Sequence, residues 1–186
     1  MTLLLRARDL IGRPVVTLDT AEDVAEVKDV VFLHTEAKVV GFTLNKRGRF
    51  AGPLKAVLPW SRVAALGRDA VMITGREALG APDEGMRDVA GDADVVGTTV
   101  MTEGGRALGT VRDLVLEVNE DADVVGFEID GGQGPRLLPV GDTFSVSGEA
   151  LMVPAATEEF LHDDLAGFGS AVEAFRDRLH RPREET

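Results

Sequence analysis

The residues of this chain that could do chemistry are few and scattered. It has no cysteine and no tyrosine, so it has neither a thiolate nucleophile nor a phenolic acid. The three histidines, His34, His162 and His180, show no metal-ligand spacing. His34 takes the position that Val118 holds in a second, similar segment, which favours a strand residue over a general base. We therefore expect no catalytic residue, no cofactor and no enzyme activity.

One acidic run invites a calcium interpretation. Asn119, Asp121 and Asp123 alternate with other residues, as oxygen ligands do in a calcium-binding loop. The sixth position of such a loop is glycine and the twelfth is glutamate, but here they are Val124 and Asp130. We interpret the run as an acidic hairpin turn and expect no metal site.

Two copies of one pattern make up most of the chain, and a repeat of this kind predicts tandem domains. The matching segments are 10–12 with 95–97, 27–32 with 111–116, 39–44 with 124–129, and 71–73 with 151–153. Asp29 and Asp113 recur at the same place in the repeat. For both carboxylates a hydrogen bond to the backbone is the better hypothesis than a catalytic pair.

Within each copy, short apolar runs separated by turn residues predict β-strands. In the second copy Val125, Phe127 and Ile129 alternate with polar or small residues, which predicts a strand of an antiparallel hairpin with one solvated face. Because closure of a sheet removes exposed edges, the fold class predicted is all-β with a C-terminal helix, in the form of tandem small antiparallel β-barrels. The predicted boundaries are 1–79 for the first domain, 80–92 for a linker, 93–156 for the second domain, and 157–186 for the helix and tail.

The net charge of −12 is unevenly distributed along the chain. Residues 1–79 carry 12 Lys and Arg against 9 Asp and Glu, whereas residues 80–186 carry 8 against 23. Because a negative surface repels phosphate backbones, we expect no non-specific nucleic-acid binding by the whole chain. The asymmetry leaves open a homodimer that pairs the first domain of one molecule with the second of another. No apolar run reaches the ~18 residues that would span a bilayer, and with the absence of cysteine this favours a cytoplasmic protein.

Three surfaces are candidates for binding. The first is a basic hairpin with an aromatic residue, formed by Lys46, Arg47, Arg49 and Phe50. The second is Trp60, the only tryptophan, because tryptophan is enriched in interface hot spots. The alternatives are that the basic hairpin is only a solvated turn and that Trp60 is a core residue.

The third candidate surface is an apolar stripe near the C-terminus. Its members are spaced by 4, 3, 4, 3 and 4 residues, which predicts a helix over residues 158–180. They are Leu161, Leu165, Phe168, Val172, Phe175 and Leu179. We expect all six to be buried, either against the chain's own barrels or against a second copy in a homodimer.

The repeat resembles the PRC-barrel family, which is named for the cytoplasmic domain of the photosynthetic reaction-centre H subunit and also forms the C-terminal domain of ribosome maturation factors. The motifs that carry the likeness are Leu10-Ile11-Gly12, Val27-Lys28-Asp29-Val30, Val39-Val40-Gly41-Phe42 and residues 57–63. The second copy supplies residues 95–97, 108–114 and 124–127, but has Pro139-Val140-Gly141 in place of Pro-Trp-Ser. The resemblance implies an interaction module.

We therefore predict a non-enzymatic adaptor or scaffold that binds another protein. The alternative is an RNA- or ribosome-associated maturation or assembly factor that acts through the basic first domain. A reaction-centre-associated role ranks last, because we find no transmembrane segment ahead of the first copy.

Overall fold

The structure, a computed structural model, describes residues 3–48, 52–89, 95–141, 144–147 and 149–181. Within them the strands are β1 Leu3–Arg6, β2 Pro14–Thr17, β3 Asp23–Leu33, β4 Lys38–Asn45, β5 Pro53–Pro59, β6 Val63–Leu66, β7 Val71–Ile73, β8 Thr99–Thr102, β9 Ala107–Val118, β10 Ala122–Asp130, β11 Pro135–Pro139, β12 Ser145–Val146 and β13 Ala150–Val153. The helices are α1 Glu84–Asp88 and α2 Phe168–His180, and 3-10 turns form at Ala7–Leu10, Trp60–Arg62, Arg76–Ala78 and Ala155–Phe160. The predicted all-β chain with a C-terminal helix is confirmed.

The chain divides into two compact units. The first unit is formed by Ala7–Leu33 and Lys38–Asp92, and the second by Met1–Arg6, His34–Ala37 and Ala93–Thr186. The N-terminal strand β1 belongs to the second unit, because Leu3 to Arg6 pair antiparallel with β9. The predicted first domain, residues 1–79, includes this strand, because nothing in its short sequence indicates which copy it will join.

Both units use the same order of paired strands. In the first unit the path is β5-β4-β3-β2-β7-β6, and in the second it is β11-β10-β9-β8-β13-β12. In the first unit the Trp60–Arg62 turn connects the two strands at the ends of the path. The repeat therefore predicted one topology used twice. The prediction of purely antiparallel pairing was wrong at one place in each unit, because β2 pairs with β7, and β8 with β13, in parallel.

The register of the strands also repeats. Gly41 lies opposite Pro59, and Gly126 lies opposite Pro139. Val31 faces Gly41 across the ladder, just as Val115 faces Gly126. Pairing in register at these positions follows from the shared apolar alternation, because a slip of one residue would turn every core side chain to the other face. The register therefore defines which residues of the two units are equivalent.

The residues between the two copies are not a plain linker. After the last strand of each unit the chain returns to the sheet and forms one backbone bridge, Val57 to Gly80 in the first unit and Leu137 to His162 in the second. A helix follows the bridge in both units, α1 in the first and α2 in the second. The repeat thus extends through these helices, and α1 is the short counterpart of α2.

The C-terminal helix is shorter than predicted. The structure has a 3-10 turn at Ala155–Phe160 and begins α2 only at Phe168. His162 exchanges two backbone hydrogen bonds with Leu137, at 2.7 and 2.8 Å. Residue 162 is therefore held in an extended pairing with β11, which a continuous helix over residues 158–180 would break.

The prediction of one solvated face in the second copy was also wrong. On β10 Val124, Phe127, Glu128 and Ile129 are all buried, so both faces are covered. In the first copy the Trp60–Arg62 turn is followed directly by β6. No described helix has the length and apolar character needed to cross a membrane.

Candidate functional site

The outer face of the second sheet is covered by α2. We use "outer face" for the side of β9, β10 and β11 that carries Val115, Val125 and Leu137. These three side chains are 0–1% exposed and cluster with Phe168 and Val172 of α2. Leu4 of β1 and Leu165 pack at the edge of this cluster. The helix therefore caps its own barrel, which is the intramolecular alternative for the apolar stripe.

Not all of the predicted stripe is buried. Phe168, Val172 and Phe175 are at most 2% exposed, and Phe175 packs against Phe160 with ring centroids 5.4 Å apart. Leu161 and Leu165 lie before the helix and are half-buried. Leu179, in the last turn, is 41% exposed, so the prediction that all six residues are buried was wrong at both ends.

A glycine in the sheet makes room for the helix. A β-carbon added to Gly126 would lie 2.5 Å from Cζ of Phe168 and 2.5 Å from the carbonyl oxygen of Leu138. In the first unit a β-carbon on Gly41 would lie 2.5 Å from the carbonyl oxygen of Leu58 and 2.7 Å from Sδ of Met86. Each unit therefore has a slot beside the equivalent glycine, and the helix that follows the barrel fills it with one large apolar side chain.

The first unit has the same outer face without the same cover. Val31, Val40 and Val57 occupy the positions of Val115, Val125 and Leu137 in the register. All three valines are half-buried, whereas their counterparts are shielded from solvent. The five residues of α1 contact β3 and β4 but cannot reach as far as the thirteen residues of α2.

The repeated aspartate reports the same difference. Asp113 is 4% exposed and its Oδ1 accepts a hydrogen bond from the amide of Leu114 at 2.9 Å. Asp29 makes the equivalent bond with the amide of Val30 at 2.8 Å, but it is exposed. The predicted role as a backbone acceptor is confirmed for both residues. Asp29 is thus more open to solvent than its counterpart Asp113.

The positive charge of the basic hairpin is partly neutralised by neighbouring carboxylates. Arg47 forms ion pairs with Asp23 at 2.6 Å and Glu26 at 2.8 Å. Slight desolvation lowers the pKa of the Arg47 guanidinium, but its bonds to these carboxylates outweigh this and leave the pKa above its ordinary value. Lys46 is exposed. Arg49 and Phe50 lie outside the described residues.

Trp60 is a partly buried packing residue. Its ring is tilted against Phe42, with centroids 6.1 Å apart, and the side chain is half-buried. Beside it the Trp60–Arg62 and Arg76–Ala78 turns border an open pocket of about 410 Å³, with Arg62 and Glu77 on its wall. Among the described residues that line this pocket, Arg62 and Glu77 are the charged ones.

The other residues considered for chemistry have structural partners. His34 is buried with its ring 6.2 Å from that of Phe144, and Nδ1 of His180 lies 2.7 Å from the carbonyl oxygen of Arg176. His162 has Nε2 at 3.8 Å from Asp164. In the described part of the chain, no three His, Asp or Glu side chains are grouped so that they could hold a metal ion.

The acidic run after β9 is a hairpin turn, as expected. Asn119 Oδ1 accepts a hydrogen bond from the amide of Asp121 at 3.0 Å, and the amide of Asn119 donates to the carbonyl oxygen of Asp121 at 2.9 Å.

The carboxylate of Asp130, at the far end of β10, has two partners. The amide of Gly132 donates a hydrogen bond to it, and the Arg112 guanidinium lies beside it. The two together hold the pKa of Asp130 below its ordinary value.

The outer face of the first unit, formed by Val31, Val40 and Val57, and the role of Met86 were not predicted from the sequence. A signal was present, because Val40-Gly41 and Val125-Gly126 match in the repeat. A bulge in the ladder lies between Val124 and Gly126, and such a bulge is not visible in an apolar run. The equivalence of α1 and α2 was hidden because the sequences of the two helices share no pattern.

Comparison with known proteins agrees with this architecture. The PRC-barrel domain matches twice, over residues 4–80 and 87–160. No curated protein matches the chain. Since the two matches cover most of the sequence and correspond, apart from their ends, to two units of identical strand order, the chain belongs to the PRC-barrel family and contains two consecutive copies of its domain.

Proposed function

We propose that this protein is a non-enzymatic adaptor that binds another protein through the outer face of its first barrel. The observation that carries the proposal is the contrast between the two copies. Val31, Val40 and Val57 are half-buried, while the equivalent residues of the second copy are covered by α2. Apolar surface that one copy leaves partly exposed and the other covers is the kind of surface that marks interaction sites.

The electrostatics of the first unit fit a protein partner with negative charge. The three strands that carry the valines also carry the exposed residues Lys28, Lys38 and Lys55. Steering by complementary charge raises association rates and selects partners. The acidic second half of the chain, by contrast, disfavours a polyanionic ligand such as RNA.

Site-specific photo-cross-linking in the native cell tests this proposal. A benzophenone side chain at position 40 should capture a discrete partner, identified by mass spectrometry. The matched control is position 11, because Ile11 belongs to the same unit and is 47% exposed. Loss of the cross-link in the Val57→Lys variant would support the outer face of the first unit as the binding site. Equal capture from position 11, or none from position 40, would overturn the proposal.

The ribosome-associated alternative is supported by the excess of basic residues in positions 1–79. It is weakened by the engagement of Arg47 with Asp23 and Glu26. In a filter-binding assay at physiological salt, sub-micromolar affinity of the full chain for RNA would favour this alternative, as would a ribosomal protein cross-linked from position 40. A reaction-centre role and the cytoplasmic compartment stay predictions.

A further inference from the structure

We infer that the partner docks as an amphipathic α-helix that inserts a large apolar side chain into the Gly41 slot and displaces α1. This inference rests on the proposed function and specifies the chemistry of the partner. It follows from the occupant of the equivalent slot in the second barrel. There the occupant is a helix whose Phe168, Val172 and Phe175 are all buried, a spacing of residues i, i+4 and i+7 that is typical of helices bound in apolar grooves.

The shape of the slot is set by backbone. Beside Gly41 the carbonyl oxygen of Leu58 stands where that of Leu138 stands beside Gly126, at 2.5 Å from an added β-carbon in both units. Around the slot, Val31, Val40 and Val57 replace Val115, Val125 and Leu137. Each position stays apolar, so the first face offers the same type of contact to a helix as the second.

The present occupant of the Gly41 slot is one short helix. α1 has five residues, far fewer than the ~12–15 that an isolated helix needs to be marginally stable. Met86 is its one described apolar residue that is buried, at 8% exposure. Asp83 caps the helix by accepting from the amide of Met86 at 3.1 Å, and Ser61 donates to Asp83 at 3.1 Å. Methionine is flexible and fills gaps of many shapes, so the Met86 side chain is one that a larger apolar side chain of the partner can replace in the slot.

Charge narrows the partner further. Lys28, Lys38 and Lys55 are exposed on the same strands as the valines, and two aspartates, Asp23 and Asp29, are also exposed there. Because Asp23 is paired with Arg47, the lysines remain in excess. A helix with acidic residues beside its apolar stripe therefore complements this face better than a basic one. The predicted partner helix carries an aromatic or other large apolar residue at the centre of its stripe and acidic residues on its flanks.

A peptide that copies residues 160–181 of this chain is a suitable probe, because it includes α2, the longer helix that fills the equivalent slot of the second unit. It is labelled with fluorescein and titrated with the full-length protein by polarisation. We expect binding that weakens at least about tenfold when the protein carries Val40→Lys, or when the peptide carries Phe168→Ala, as expected for a central contact. Val40 is half-buried, and an unchanged melting temperature of Val40→Lys shows that this variant is folded. Val57→Lys is a second variant of the same face and should weaken binding of the probe in the same way.

The displacement of α1 is tested by Met86→Ala in the protein. Removal of the Met86 side chain from the Gly41 slot should tighten binding of the probe several-fold, because the probe no longer competes with that side chain. Unchanged or weaker binding would overturn displacement. Binding that survives both Val40→Lys and Val57→Lys would place the probe at another site, such as the Gly126 slot, and would also overturn the inference.

Two outcomes separate this inference from the proposed function. If position 40 captures a partner in cells but the probe does not bind, the adaptor function stands and the helix-in-slot inference fails. If the purified protein is a dimer by light scattering and Val40→Lys makes it monomeric, the occupant is a second copy of this chain, which overturns docking of a different protein.

Discussion

Phe168 occupies the space that a side chain at position 126 would need: a β-carbon on Gly126 would lie 2.5 Å from its Cζ atom. The helix and the sheet therefore approach each other only because residue 126 has no side chain. The same relationship holds in the first barrel between Met86 and Gly41. A slot of this kind depends on one residue of each element, which makes it accessible to single substitutions.

Gly126→Ala is expected to destabilise the protein by roughly 1–3 kcal/mol, the usual cost of overpacking. The new methyl group meets the ring of Phe168 and the backbone carbonyl of Leu138, and the carbonyl cannot rotate away. The measurement is the midpoint of urea unfolding. Gly104→Ala is the control, because the nearest atom to its β-carbon is 3.7 Å away, and it should change stability by less than about 0.5 kcal/mol.

Phe168→Ala is expected to lower the free energy of unfolding by roughly 3–5 kcal/mol, since it removes a fully buried aromatic ring from a packed cluster. Phe168→Asp should be worse still. Leu179→Ala, on the exposed end of α2, is the matched control and should have little effect. Light scattering should give the same molar mass for the wild type and Leu179→Ala; a dimer lost in Leu179→Ala would mean that the stripe also joins two copies.

Arg6→Met is expected to destabilise the second unit by roughly 2–4 kcal/mol, because it removes a cation from a buried carboxylate. Arg6 lies on β1 and its Nε is 2.5 Å from Glu128, whose side chain is 4% exposed. Adding Glu128→Gln should recover part of the loss. As the control, Arg76→Met breaks a pair with Glu22 in which both side chains are more than half exposed, and it should cost less than about 1 kcal/mol. Equal effects in thermal melts would contradict this prediction.

The pKa of Asp130 is expected to lie below that of an ordinary aspartate, first because the amide of Gly132 donates to its carboxylate and second because Arg112 lies beside it. A lowered pKa in the folded state means that these contacts stabilise the protein above the ordinary carboxyl pKa, and that this contribution is lost as the pH falls through the folded value. In Arg112→Gln the pKa should rise but stay low, because the Gly132 amide remains. Carbon-detected NMR titration measures it; an unchanged pKa in this variant would show that Arg112 has no part in the shift.

The apolar runs and the turn residues between them were sufficient to predict most of the strands and their repetition, and the resemblance of the repeated motifs predicted the family. Val27 to Phe32 and their repeat at residues 111–116 lie in β3 and β9, which are equivalent strands of the two units. The hairpin turn at Asn119 followed from local chemistry alone. These features depend on neighbours within a few residues, or on a pattern present twice in the chain.

Long-range contacts decided the rest. Leu161 and Leu165 have perfect helical spacing, but the backbone of His162 pairs with Leu137, 25 residues away in sequence, and residue 162 is held out of the helix. Val40 and Val125 are the same residue in the same motif, yet one is half-buried and the other is not exposed at all. Burial of a sheet's second face depends on which element packs there, and a five-residue helix and a thirteen-residue helix cover different areas. That area is a property of tertiary packing, which no local pattern in β4 or β10 encodes.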